Sequence, residues 1–146
     1  QSIHLDILSD YKIDLDWQPT HLLYFATPHI ISEDITVNSK NLTELYKIYF
    51  IEGFKKIVED IMSGKTLNIL YPSTVYIDSS NNKYKKYATI KKQGEKLCQS
   101  LMKLYPNIKI IYPRLPRLRT DLTASLINRT SLEANSYLLD IYKKWT

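Results

Sequence analysis

The chain predicts an α/β fold, a short parallel sheet of about three to four strands flanked by helices. Three observations carry that reading. The β-like segments are unbroken apolar runs, the pattern of strands covered on both faces. They alternate with two long segments of helical periodicity, which implies parallel βαβ units. At 146 residues, with 44% hydrophobic and 24% charged residues, the chain has the size and composition of a single globular domain over 1–146.

The elements follow in order. "SIHLDIL", Ser2–Leu8, is an opening strand candidate, and the polar stretch "SDYKIDLDWQP" after it is turn-like. "HLLYFATP", His21–Pro28, is an apolar strand ended by small residues and a proline. "NLTELYKIYFIEGFKKIVEDIMSGK" sets Leu45, Ile48, Ile51, Phe54, Ile57, Val58, Ile61 and Met62 at helical spacing, with Gly64 as its stop. "LNILYPST" is the next strand. A second helix runs from near Tyr84 to about Leu104, with Tyr87, Gly94, Leu97, Cys98 and Leu101 as its buried stripe. The turn at Pro106-Asn107 introduces "IKIIYPRL", which Pro113 and Pro116 bring to an end. A final helix is expected over about Ser131 to Lys144, capped by Ser131 and carrying Leu132, Tyr137, Leu138 and Ile141 on one side.

Composition narrows the function classes. No apolar run reaches the length of a membrane span and no signal-peptide pattern opens the chain, so a membrane role is not expected. The single cysteine, Cys98, excludes an internal disulfide, fits a cytoplasmic location and lies on the apolar side of its helix, as core rather than nucleophile. A net charge of +5, with lysines gathered between Lys83 and Lys96, would suit nucleic acid. No zinc pattern, RNP motif or helix-turn-helix accompanies it, and a solvated helix face explains it as well. His4, His21 and His29 have no metal-ligand spacing, so no metal is expected. Gly53, Gly64 and Gly94 are the only glycines, and neither GxGxxG nor GxxxxGK[ST] can be written with them.

One spacing stands out. Tyr87 precedes Lys91 by four residues, as Tyr105 precedes Lys109. With 12 tyrosines and 16 lysines, chance placement gives about one such pair, so context decides. Tyr105/Lys109 straddles Pro106 and cannot share a helix face. Tyr87 and Lys91 do share one, on the helix that follows "YPST". In an open parallel sheet, ligands bind beyond the carboxyl ends of the strands, where Ser73 and Thr74 fall. An ammonium one turn from a phenol favours the phenolate and lowers its pKa. The phenol then exchanges a proton with a substrate oxygen that a hydroxyl holds in place. Such a trio suits hydride transfer with a nicotinamide.

At these residues the chain resembles the short-chain dehydrogenase/reductase superfamily, nearer its extended, NAD-dependent epimerase/dehydratase branch. "YATIK" matches Tyr-x-x-x-Lys, "KKQGE" matches the Lys-x-x-x-Glu that often follows, and "YPST" sits on the strand bearing the catalytic Ser/Thr, with Thr74 13 residues before Tyr87. "LLYFATP" looks like the strand whose end lines the cofactor, and "HLDIL" like an earlier strand whose aspartate contacts adenine. Together with "YPRLPRLRTD" these segments look especially like dehydrogenase-like domains of large biosynthetic enzymes. The resemblance implies a partial, three-layer Rossmann-like domain and an oxidoreductase using NAD or NADP. It makes Tyr87 the acid/base, Lys91 its electrostatic partner and ribose contact, and Thr74 or Ser73 the orienting hydroxyl. Asp6, Ala26 and Thr27 would face the cofactor. Arg114, Arg117 and Arg119 could meet a phosphate or carboxylate, or lie in a solvated loop.

The chain also departs from the family pattern. The glycine-rich turn and the first two βα units are missing, so they are expected before Ser2, and the isolated chain is expected to be inactive. "SIHLDIL" would then have to pair elsewhere, swap into another molecule or lack order. Phe50 stands where the family often has asparagine. Expected partners are a small-molecule or carrier-bound substrate and the rest of the polypeptide or a second copy. A non-catalytic interaction module is the alternative.

Overall fold

The computed structural model describes residues 4–30, 39–80, 82–116, 118–119 and 132–145. The chain forms two compact units, Gln1–Arg114 and Leu115–Thr146. In the first, β1 (His21–Leu23), β2 (Leu67–Leu70) and β4 (Ile108–Ile111) make a parallel sheet in the order β1-β2-β4. Its register aligns Leu22 with Ile69 and Ile69 with Ile110. The helices between the strands are α1 (Ser39–Lys47) continuing into α2 (Phe54–Ile61), and α3 (Lys85–Leu104). This is a short parallel sheet flanked by helices, the expected partial Rossmann-like arrangement.

The strands are shorter than their apolar runs because backbone chemistry stops them. Pro72 has no N–H to extend β2, and β4 ends two residues before Pro113. Beyond β1 one further bond remains, from Tyr24 N–H to the Leu70 carbonyl at 3.0 Å. Leu22, Tyr24, Ile69, Tyr71 and Ile110 point to one face, where they pack with Phe54, Val58, Cys98 and Leu101 as the main core. Cys98 is a fully buried core residue whose thiol burial pushes up to about 12.

The first helical segment buries a different stripe from the one its threefold spacing suggests. Leu42, Tyr46, Phe50, Phe54 and Val58 are buried, whereas Leu45, Ile48 and Ile51 are only partly so. A strict spacing of four residues drifts about 40° per step around an α-helix. Between α1 and α2, Ile48–Gly53 forms a π-helix instead, a wider turn that takes up the drift. Two strand tyrosines then bond its carbonyls. Tyr24 donates its hydroxyl to Tyr49 O, and Tyr71 donates to Phe50 O at 3.0 Å. Gly53 lies in this turn with Ile7 against it, where a Cβ would come within 2.9 Å of Ile7 Cγ2.

The described part of "SIHLDIL" is not a strand, which corrects that expectation. Asp6 folds the chain back on itself, its carboxylate accepting Leu8 N–H at 2.9 Å and its carbonyl accepting Ser9 N–H at 3.1 Å. An aspartate satisfying the amide two residues on competes with sheet pairing. Leu5, Ile7, Tyr11 and Ile13 pack on the main core. Ser2 and Ile3 lie outside the described residues.

Beyond β5 (Arg114–Leu115), the second unit holds β6 (Leu118–Arg119), paired in parallel with β7 (Leu132–Glu133), and α4 (Ala134–Trp145). The last helix is thus present, starting later than expected. Its proposed cap Ser131, the loop at Asn128-Arg129, and Arg117 and Asp121 lie outside the described residues. Among the described residues no helix is long and apolar enough to cross a membrane.

Candidate functional site

The site is built where β2 ends. Tyr71 N–H donates to Ile111 O and Ser73 N–H to Pro113 O, both at 2.9 Å, which carries the chain past the sheet into β3 (Ser73–Thr74). Thr74 caps the one-turn helix Val75–Asp78, its Oγ1 accepting Tyr76 N–H at 3.3 Å. Helix α3 brings Tyr87 to it, close enough for the Thr74 hydroxyl to act on the phenol.

The phenol stands in an apolar wall. Tyr87 is 9% exposed, and its ring meets Tyr46 (5.8 Å) and Phe50 (5.6 Å) edge-on. Burial pushes its pKa well above the usual 10, and the neighbouring Thr74 hydroxyl only partly opposes this. The expectation that Lys91 depresses the phenol is therefore corrected, because desolvation outweighs any help from the ammonium. Lys91 itself is 5% exposed. Its Nζ donates to Pro72 O at 2.6 Å and lies 3.9 Å from the Phe50 ring centroid, 4.7 Å from that of Tyr71 and 6.0 Å from that of Tyr87. These are cation–π distances. One carbonyl and three rings replace water poorly, and burial pulls the amine down to about 7. At neutral pH the phenol is fully protonated and the amine titrates.

Ser73 and Thr74 separate cleanly. Ser73 Oγ is committed as a donor to Glu95 Oε1 at 2.6 Å, and Thr74 is the hydroxyl that acts on the phenol. Glu95, buried one turn beyond Lys91, accepts Arg114 Nε at 2.8 Å and Nη2 at 2.7 Å, a two-pronged pair. Arg114 also donates to Asp78 Oδ1 at 2.5 Å. These bonds hold the Glu95 carboxyl below its ordinary value, Arg114 being the larger cause. Arg114 is thus committed within the chain. Glu95 belongs to this site as structure, although the apolar stripe read from the sequence had passed over it and Lys91 alike. Its signal was the Lys-x-x-x-Glu spacing.

Of the residues expected at the cofactor, Ala26 packs partly buried on the core beyond β1, and Thr27 Oγ1 donates to Pro28 O at 3.0 Å. Asp6 uses its carboxylate in its own turn. The glycines have structural tasks. Gly64 takes a left-handed φ of 79° after α2, and Gly53 and Gly94 admit Ile7 and Tyr71 against their helices.

The fold is one that solved short-chain dehydrogenases and oxidoreductases share. Solved structures that share it include a short-chain dehydrogenase/reductase from Vibrio parahaemolyticus, with a TM-score of 0.68 at 14% identity over 88% of this chain and 61% of that one. An oxidoreductase of E. coli gives 0.70 at 13% identity over 88% and 56%. A gluconate 5-dehydrogenase from Burkholderia cenocepacia, solved with NADP and tartrate, gives 0.60 at 13% over 77% and 46%. The chain thus spans less than two thirds of the length of the structures it resembles. No protein-family model and no curated protein matches the sequence.

Proposed function

We propose that this chain is the substrate-side part of a longer NAD(P)-dependent oxidoreductase acting at a carbonyl or alcohol, of the short-chain dehydrogenase/reductase kind. The observation that carries this is the placement of Thr74 beside Tyr87 past the carboxyl end of β2, with Lys91 one helical turn on. Tyr87, protonated in this setting, serves as general acid toward a carbonyl oxygen. Thr74 hydroxyl orients that oxygen, and Glu95 with Arg114 fixes the strand tip through Ser73. The Lys91–Glu95 spacing supports the extended, epimerase/dehydratase-like branch, and a carrier-bound or sugar-like substrate.

The residues present do not fit a complete dinucleotide. All three glycines are spent on a turn and on helix packing, and Lys91 Nζ is turned into the rings rather than toward a ribose. No step through the cofactor is assigned to this chain, and micromolar NAD(P) binding by the chain in a calorimetric titration would count against this division of labour. Replacing Tyr87 by Phe in the full-length protein is the direct test. A fall in turnover of two orders of magnitude or more, with the fold intact, is expected for a lost general acid.

A second reading is a non-catalytic interaction module that kept the fold. The shielded Lys91, sealed under Phe50, favours it. Unchanged biological output from Tyr87→Phe would select this reading over the first.

A further inference from the structure

A cavity of about 420 Å³ opens at the amino end of the sheet, opposite the end that carries Thr74 and Tyr87. Its floor is apolar, from Leu22 at the start of β1 and Ile57 and Ile61 in the later turns of α2. One wall is the extended stretch before β1, whose alternate residues Tyr11, Ile13 and Leu15 turn inward and are partly buried. That wall is fastened to α2, with Ile13 N–H donating to Asp60 Oδ2 at 3.4 Å and Lys56 Nζ standing 4.9 Å from the Tyr11 ring centroid. At the rim stand His4, His21 and Trp17, the last 54% exposed.

The size matches small-molecule sites, which are mostly apolar with a few polar groups at the edge. The composition is more telling than the size. Four side chains with π faces (His4, Tyr11, Trp17 and His21) meet around one apolar floor. Stacked and edge-on ring contacts reward a flat aromatic guest beyond the area it buries. The rim charges, Lys12 and Asp14, are of opposite sign, so they favour neither an anion nor a cation. We propose that this cavity is a binding site for an uncharged, planar aromatic small molecule of one or two fused rings. It is separate from the oxidoreductase site and does not depend on that reading.

The test is a titration of the 146-residue chain with naphthalene, followed by amide, methyl and indole NMR shifts, against decahydronaphthalene, which has the same carbon skeleton and no π face; 2-naphthol serves as the more soluble aromatic probe. Saturable shifts are expected at the Trp17 indole N–H and the Ile57 and Ile61 methyls, with Thr74 and Tyr87 unmoved. The saturated compound should bind at least tenfold more weakly, and Trp17→Ala should weaken 2-naphthol at least tenfold. If Trp17→Ala does not fold, Ile61→Phe, which fills the floor, should abolish the shifts in the same way. No saturable shift, equal binding of naphthalene and decahydronaphthalene, or shifts gathered at Thr74 and Tyr87 would overturn the proposal.

Discussion

Gly94→Ala sets two effects of opposite sign against each other on α3. An interior helical glycine costs about 1 kcal/mol relative to alanine, so propensity alone makes the substitution stabilising. The structure says otherwise, because a Cβ there would lie 2.0 Å from Tyr71 Oη, 2.6 Å from its Cζ and 3.1 Å from its Cε1. The ring cannot step aside cheaply. Tyr71 is fully buried, its hydroxyl is bonded to Phe50 O, and Phe54 lies at 4.6 Å and Tyr24 at 6.3 Å between centroids. Overpacking of this kind costs about 1–3 kcal/mol. Breaking the bond of a buried hydroxyl adds about 1–3 kcal/mol. After the propensity gain, a net loss of about 3 kcal/mol is expected, a large share of a typical domain's stability. Urea unfolding followed by circular dichroism should show a lower midpoint at unchanged slope. Tyr71→Leu combined with Gly94→Ala should cost less than the two changes added, by at least about 1 kcal/mol of coupling. A Gly94→Ala chain as stable as the wild type, or more so, would refute the close approach of Tyr71.

Three further outcomes follow from groups buried along the same helix. Lys91 titrates near 7 when folded and near 10.5 when unfolded, so its burial penalty is full below about 7 and fades as pH rises to 10.5. Wild-type stability should therefore climb relative to Lys91→Met across that window, approaching one proton in slope, and a constant gap in urea titrations would contradict the buried amine. The Glu95 carboxyl is held below 4.5, so its contribution is complete above that pH and disappears as acid protonates the folded form. The melting-temperature gap between wild type and Glu95→Gln should thus close from pH 6 toward pH 3, and a gap that widens there would speak against the Arg114 pair. Cys98 should resist iodoacetamide at pH 8 until urea unfolds the chain, since its thiol is buried and pushed up to about 12; equal labelling rates in both conditions would show it is accessible.

Much of the fold was legible because its cause is local. Continuous apolar runs mark β1, β2 and β4, and the observed α3 begins one residue from its expected start. The proline-bounded strand tip and the i, i+4 face of Tyr87 and Lys91 were equally readable, and the structure brings Thr74 to the phenol. What escaped depends on distant partners. The burial of two charged residues on an amphipathic helix has no local signature: Lys91 is sheltered by Pro72, Phe50 and Tyr71, and Glu95 by Arg114, 19 residues along the chain. The sign of the phenol's pKa shift was missed for the same reason, since the enclosing rings of Tyr46 and Phe50 come from a different helical segment. Asp6 shows the reverse case, a local side-chain bond defeating an apparent alternation of strand type.

The π-helix at Ile48–Gly53 amounts to one surplus amino acid wound into an otherwise ordinary rod. Excising the exposed Glu52 would let the coil regularise, and because the wide turn already absorbs that residue, the faces upstream and downstream would stay aligned. Leu42 and Tyr46 would stay with Tyr87, and Phe54 and Val58 in the core, but the restored helix ladder would compete for the Tyr49 and Phe50 carbonyls that the Tyr24 and Tyr71 hydroxyls now use. The extra residue thus serves two interior phenols rather than the helix faces, and losing a single codon would set buried hydroxyls against the helix's own backbone for the same acceptors.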